Sequence, residues 1–275
     1  MLSLGWFSTG RGEGSRGLLQ SALDSLYNGQ LNARILFVFC NRDPGEHSGS
    51  DKFMDLARNY GLPLITFSSR RFQHERGAPD IAAVRQEYHE EVMQYLKSYT
   101  PDLCVLAGYG LIMSPEMCQR YTVLNLHPAL PGGPVGTWKQ VIWKLIEARA
   151  SRHGVLVHLA TEELDLGPPV TYTSFPIRGE GFDVAWQRAG ELSAKSQRDQ
   201  EDEKLELFHR IRQEGMRRER PLLMETLRAF ASGRLRVTDR QVIDTHGRPI
   251  AGLCLDDEVE KALAKGTYGT AQQSW

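Results

Sequence analysis

The feature that most constrains the fold is an alternation. Four short apolar runs, "LSLGWFST" (2–9), "ARILFVFC" (33–40), "LPLITF" (62–67) and "DLCVLAGY" (102–109), are separated by segments patterned as helices (17–28, 51–60 and 81–98). In the last of these, Ile81, Val84, Tyr88, Val92 and Tyr95 recur at helical spacing, and Pro101 closes it. Near-continuous apolar strands joined by helices predict an α/β fold, with a mostly parallel sheet covered by helices on both faces. The pattern continues with strands expected at 121–126, 153–160 and 169–177 and a helix at about 137–149. A helical pattern over 183–231 is broken by the charged run "QRDQEDEK" (197–204). "RLRVTDRQVIDTHGRPI" (234–250) reads as a hairpin and the final "KGTYGTAQQSW" as a loose tail. The expected division is a main domain over 1–233 and a C-terminal hairpin, helix and tail extension over 234–275.

Composition excludes several partners. With 275 residues, 41% of them hydrophobic, the chain has ample core to bury. A formal net charge of −1 gives no global basic field for nucleic acid or an anionic membrane. Cys40, Cys104, Cys118 and Cys254 are scattered without a C-x-x-C, and Cys40 and Cys104 sit in apolar runs as reduced core residues. The N-terminus has no basic n-region, and no apolar run approaches the roughly 18 residues of a membrane span. The expectation is a reducing, cytoplasmic location. His127, His153 and His158 lack the ligand spacing of a zinc site, so no metal is expected.

The strand at 121–126 ends unusually, in "VLNLHPALPGG" (123–133). Asn125 and His127, two residues apart, point to the same face, and Pro128 and Pro131 then stop the ladder. At the carboxyl end of a parallel sheet, where ligands bind, an amide can hold a developing oxyanion and an imidazole can move a proton. The turn "TEELDLGPPV" (161–170) offers a carboxylate partner. Asp165, between two leucines, is expected to face inward, Glu163 to be solvated, and His158 to be a satisfied core histidine. The first βα turn, "STGRGEGSRGLLQ", contains Gly12-x-Gly14-x-x-Gly17. That suits a phosphate or anion loop, with a dinucleotide site or a plain tight turn left open. The basic run "HRIRQEGMRRER" (209–220) reads as a solvated face, with an anion-pocket contribution as the alternative.

Asn125-x-His127-Pro128 followed some 35 residues later by "TEELDLGP" with Asp165 resembles the folate-dependent formyltransferases, and within them the branch that acts on glycinamide ribonucleotide. The resemblance runs from residue 2 to about 237. It implies a Rossmann-like formyltransferase fold and 10-formyltetrahydrofolate as co-substrate. It also implies formyl transfer to the primary amine of a small phosphorylated acceptor, glycinamide ribonucleotide, in purine biosynthesis. By resemblance, Asn125, His127 and Asp165 are catalytic. The stretch "DLCVLAGYGLIMSPE" (102–116) resembles the segment that cradles the pterin through backbone groups, giving Gly110, Leu111, Ile112 and Met113 as folate contacts. Arg85 in "VRQEYHEE" (84–91), with Glu162 and Leu164, joins them. Gly14, Ser15 and Arg16 correspond to the substrate-phosphate loop. A homodimer is compatible with this reading, through residues 183–231.

The chain departs from the family pattern near the acceptor. Arg16 stands where an asparagine is usual, the loop reads two residues longer, Trp138 replaces smaller or polar residues, and "GMRRERP" before and at Pro221 lacks the family's usual glutamate-histidine pair. Other amine acceptors such as an amino-sugar nucleotide, or hydrolysis of the formyl donor, therefore share the same trio as alternatives. A methionyl-tRNA formyltransferase would carry a larger basic C-terminal domain than the remaining 40 or so residues. A nicotinamide oxidoreductase would rest on the glycine pattern alone, and a non-catalytic binding protein would be expected to have lost one of the trio.

Overall fold

The computed structural model describes residues 1–163, 165–190 and 205–268. The charged run 197–204, Leu164 and the last residues of the expected tail lie outside the described residues. The chain divides into two compact units. One comprises 1–125, 158–168 and 227–250, the other 126–157, 169–226 and 251–275.

In the first unit, β1 (Leu2–Ser8), β2 (Ala33–Cys40), β3 (Leu64–Thr66), β4 (Leu103–Leu106) and β5 (Val123–His127, all but its last two residues) lie in the order β5-β4-β1-β2-β3. Every adjacent pair is parallel. Helices α1 (Glu13–Tyr27), α2 (Ser48–Asn59), α3 (Ser69–Glu75), α4 (Arg85–Tyr95) and α5 (Pro115–Arg120) connect them. Six of the seven residues of β1 and all four of β4 are buried. That two-sided burial is why these strands read as unbroken apolar runs. The core is aromatic: Phe7 packs its ring against Phe37, Phe39 and Tyr109 at centroid distances of 5.5, 5.4 and 5.8 Å.

The chain builds β1, β2 and β3 outward in one direction, then returns to place β4 on the other side of β1. Such a reversal leaves a crevice at the carboxyl ends of the strands flanking it. The loops there are joined by hydrogen bonds. The Thr9 amide donates to the Gly108 carbonyl (3.0 Å), and the Gly110 amide donates to the Thr9 hydroxyl (2.8 Å). Gly108 has φ +69°, and a Cβ there would collide with the Ser15 hydroxyl at the start of α1. Only glycine allows the loop after β4 to lie against that helix end.

The hairpin expected at 234–250 is β8 (Arg236–Thr238) paired antiparallel with β9 (Gln241–Ile243). Asp239 and Arg240 both take positive φ at the turn, as two-residue hairpin turns require.

In the second unit, β6 (Arg152–Leu159, all but its last two residues), β7 (Pro169–Pro176) and β10 (Leu253–Cys254) lie in that order, with β10 parallel to β7. The helices are α6 (Trp138–Glu147), α7 (Asp183–Gly190), α8 (Glu206–Ala231) and α9 (Asp256–Ala264), α8 passing beyond the unit's boundary at Thr226. Trp138 at the start of α6 packs its ring on Phe208 (5.9 Å), and the Arg212 guanidinium lies over that ring at 4.6 Å. Its bulk therefore fills core space in this unit. The arginine-rich run is largely matched by glutamates: Arg210 pairs with Glu206, Arg217 with Glu214, and Arg212 with Glu219. Arg218 departs from the solvated-face reading. It is buried, pairs with Glu214 and Glu260, and lies 4.3 Å over Phe175. The C-terminal extension is anchored by Asp256, whose carboxylate accepts from the Ser174 amide (2.7 Å), the Ser174 hydroxyl (3.0 Å) and the Thr173 hydroxyl (3.1 Å).

Local differences from the sequence reading have local causes. Helix α1 starts at Glu13, so Gly14 and Gly17 lie inside its first turns and the expected longer loop ends at Gly12. The 81–98 segment opens with a separate 3-10 turn, Ala82–Val84, before α4. Helices α3 and α5 and strand β10 are too short to produce a period.

Two buried histidines predict the acid response. Burial, reinforced by the charge of Arg85, lowers His89 to about 4. Burial, with Arg212 and His127 adding to it, lowers His153 to about 4. Both lie below the ordinary value, so between pH 4 and 6.5 the unfolded chain binds more protons than the folded one. Stability is then complete above pH 6.5 and is lost as pH falls toward 4. Each group contributes up to about 3 kcal/mol. Urea unfolding at pH 7, 5.5 and 4.5 is expected to show a falling midpoint, and His153→Gln a flatter fall.

Candidate active site

Strand β5 delivers Asn125 to the carboxyl edge of the sheet, paired in register with Leu106 of β4. Beyond β6 the chain turns sharply through 161–168. The Thr161 hydroxyl bonds the Glu163 carbonyl (3.0 Å), and the Leu159 amide bonds the Pro168 carbonyl (2.9 Å). Gly167 closes the turn so tightly that a Cβ there would overlap the Leu159 carbonyl oxygen. Asp165 adopts φ +58°, a conformation few residues other than glycine hold without cost. That backbone turns its carboxylate back toward β5.

The result is a three-residue cluster. The Asn125 side-chain nitrogen lies 3.1 Å from His158 Nε2 and 3.3 Å from Asp165 Oδ1. His158 Nε2 and Asp165 Oδ1 are themselves 3.7 Å apart. Chemistry fixes the orientation of each group. A carboxylate only accepts, so the atom facing it must be the amide nitrogen and not its oxygen. His158 Nδ1 lies 2.9 Å from the Leu159 carbonyl, which accepts its hydrogen, leaving Nε2 as an acceptor for the second amide hydrogen. Both hydrogens of Asn125 are therefore directed at neighbours, and the imidazole is held in one tautomer. The side chains of His158 and Asp165 are 2% and 8% exposed, so the pairing takes place out of bulk water.

These three side chains line a recess of about 100 Å³, together with Thr161 and Glu163. Tyr109, Leu111, Ile112 and Met113 from the segment after β4 also line it. The recess is smaller than the roughly 300–1,000 Å³ that encloses a drug-sized ligand.

Other expected site residues lie around this recess or apart from it. Gly110 is one residue before the Leu111–Met113 wall. Arg85 and Glu162 do not line the recess; their charges reach the Cys118 thiol, which burial pushes up to about 11. Gly14, Ser15 and Arg16 form the first turn of α1, whose Gly12 cap offers no side chain to its amides. A Cβ at Gly14 would meet nothing, so that helix end is open, and Arg16 makes a loose pair with Glu13 at 3.7 Å. His127, in the second unit, is buried, with Nε2 3.2 Å from the Pro134 carbonyl. Leu164 lies outside the described residues. Among the described residues no three His, Cys, Asp or Glu side chains come together as a metal site, and no helix is long and apolar enough to cross a membrane.

Residues 11–184 match the family described as formyl transferase. The chain belongs to that family. Among relatives, the phosphoribosylglycinamide formyltransferase of Haemophilus influenzae is 30% identical over 162 residues, 58% of this chain and 68% of that protein. The Escherichia coli enzyme of the same name is 30% identical over 173 residues, 60% of this chain and 70% of that protein. A phosphoribosylglycinamide formyltransferase from Coxiella burnetii, solved with CHES, shares the fold. It aligns at a TM-score of 0.65 and 22% identity over 92% of this chain and 98% of that one.

This formyltransferase brings Asn125 and Asp165 together as the sequence predicts. It adds His158, which sequence reading assigned to the core, and Tyr109, which it passed over. His158 alternates with Val157 and Leu159 and so carries no periodic sign of a different role. Tyr109 follows a buried strand and reads as its continuation.

If Gly167 sets the turn, Gly167→Ala should destabilise the protein by about 2–4 kcal/mol. The expected readout is a thermal midpoint lowered by several degrees in circular dichroism.

Proposed function

We propose that this formyltransferase moves the formyl group of 10-formyltetrahydrofolate to the primary amine of glycinamide ribonucleotide, a step of purine biosynthesis. The observation that carries the proposal is the meeting of Asn125, His158 and Asp165 at a recess that Tyr109, Leu111, Ile112 and Met113 also line. The recess takes the reacting end of the folate, with Leu111, Ile112 and Met113 along it and Arg85 and Glu162 further out. The acceptor's phosphate lies at the start of α1, against Gly14, Ser15 and Arg16. The uncapped amides there and the positive helix end favour an anion.

The amine nitrogen attacks the formyl carbon, and the carbonyl oxygen becomes an oxyanion. Asn125 donates to it. The bond to Asp165 is the longer of the amide's two, so the oxyanion takes the hydrogen that Asp165 now holds, while the bond to His158 keeps the amide aimed. His158 is thus a positioning residue. One preorganised donor of this kind is worth roughly 10²–10³ in rate. His127 takes part in the proton transfer, and a water relays the proton from the attacking amine to the leaving folate nitrogen. The carbon–nitrogen bond to the folate then breaks, releasing tetrahydrofolate and the formylated amine.

The test is absorbance detection of tetrahydrofolate from 10-formyltetrahydrofolate, with and without glycinamide ribonucleotide. Release that depends on the ribonucleotide supports the proposal. Release only with another amine, such as an amino-sugar nucleotide, replaces the acceptor, and release with no amine makes the reaction a hydrolysis. In the same assay His127→Ala and Asp165→Ala are each expected to lower turnover at least about a hundredfold while remaining folded. Arg16→Ala should mainly raise the acceptor's KM. An unchanged KM would remove Arg16 from the phosphate site.

A further inference from the structure

Helix α4 buries a histidine that the proposed reaction does not use. His89 is fully buried, with its ring 5.5 Å from Tyr88 and 6.3 Å from Tyr109. Its Nδ1 accepts the backbone N–H of Ser114 (3.1 Å). With a donor facing Nδ1, the ring proton sits on Nε2, which donates to the Tyr109 hydroxyl (3.2 Å). One imidazole therefore holds the two ends of the segment that forms a wall of the recess.

Tyr109 is also packed on Phe7 and Phe39 and hydrogen-bonded with Tyr88, but those contacts hold only its end of the segment. Residues 109–114 belong to neither helix nor strand. The Gly110 amide is held by the Thr9 hydroxyl, while the amides of Leu111, Ile112 and Met113 have no acceptor among the described residues. Those amides are what a folate ring would use, and their placement depends on where Tyr109 and Ser114 are fixed. Ser114 is also the cap of α5, its hydroxyl accepting from the Met117 amide (3.4 Å). From these contacts we infer that His89 is a positioning residue for the formyl donor, bracing the 109–114 wall from behind. The inference rests on the reading of this recess as the folate site.

The brace works only with a neutral imidazole, because protonated Nδ1 would present N–H to N–H. Burial, first, and Arg85 on the same helix keep the ring neutral, while Glu116 on α5 opposes them; the result is about 4. Its other polar neighbours, the Tyr109 and Tyr88 hydroxyls, are held neutral by burial. The wall is therefore braced at neutral pH and released on acidification.

The experiment compares wild type, His89→Phe, His89→Gln and Tyr109→Phe. It measures KM and kcat for 10-formyltetrahydrofolate, and binding of 5-formyltetrahydrofolate by intrinsic fluorescence. Losing both bonds should raise the donor's KM and Kd about tenfold, with kcat changing far less. The Gln variant, which can accept from Ser114 and donate to Tyr109, should recover most of that affinity. Tyr109→Phe, which keeps the ring, should weaken binding by about threefold. Wild-type KM should climb as pH drops from 6 to 4.5, and the Gln variant's should climb less. Unchanged KM and Kd in His89→Phe, with only a lower thermal midpoint, would overturn the inference. If wild type binds no folate, the folate reading fails and the brace is judged by hydrogen exchange of residues 109–114. Faster exchange in His89→Phe or His89→Gln then supports the brace, and unchanged exchange in both refutes it.

Discussion

One amide nitrogen with two hydrogens organises the candidate site. Asn125 can satisfy His158 and Asp165 together only because three pieces of backbone arrive correctly. Strand β5 must pair in register with β4. The chain leaving β6 must present an imidazole whose other nitrogen is already committed to its own strand. Asp165 must hold a left-handed backbone that a free peptide would abandon. Buried polar clusters of this kind are stable when every member is satisfied and costly when one is not. The cluster is thus also a check on the folding of the turn around it.

The parallel sheet supplies the rigidity beneath it. Functional groups on loops need a stiff base, and here β1 and β4 beneath the candidate site are buried along nearly their whole length. The loops following β1 and β4 are joined through Thr9, Gly108 and Gly110, and the packing of Gly108 on Ser15 brings α1 against the same loop. The proposed phosphate end and the recess are therefore set by one group of short contacts.

Much of this was legible in the residues. Long apolar runs and helical periods located β1, β2, β4, α2 and α6 to within a few residues, because two-sided burial leaves a strong pattern. Asn125 and His127 drew notice because they interrupt a strand that otherwise had no use for them, and the resemblance joined Asp165 to them; the structure brings Asn125 and Asp165 together. What stayed hidden depends on three-dimensional closure. His158 and His89 occupy positions that apolar residues could fill, and only their partners distinguish them. Trp138 drew attention as an unusual neighbour of the site, yet its ring packs on Phe208 and Arg212. Arg218 in a charged run is buried because Glu214, Glu260 and Phe175 converge on it from different elements.

The short strand β10 carries a consequence for the whole second unit. It is two residues long and pairs Leu253 and Cys254 with Thr171 and Tyr172 of β7, while Asp256 fastens the next helix to Ser174. Without it, β7 would offer a row of open backbone donors and acceptors, the kind of border to which a strand from another molecule can add. The C-terminal segment thus serves as a hem: it adds Leu255, Val259 and Ala262 to the buried core and covers the middle of that border of β7.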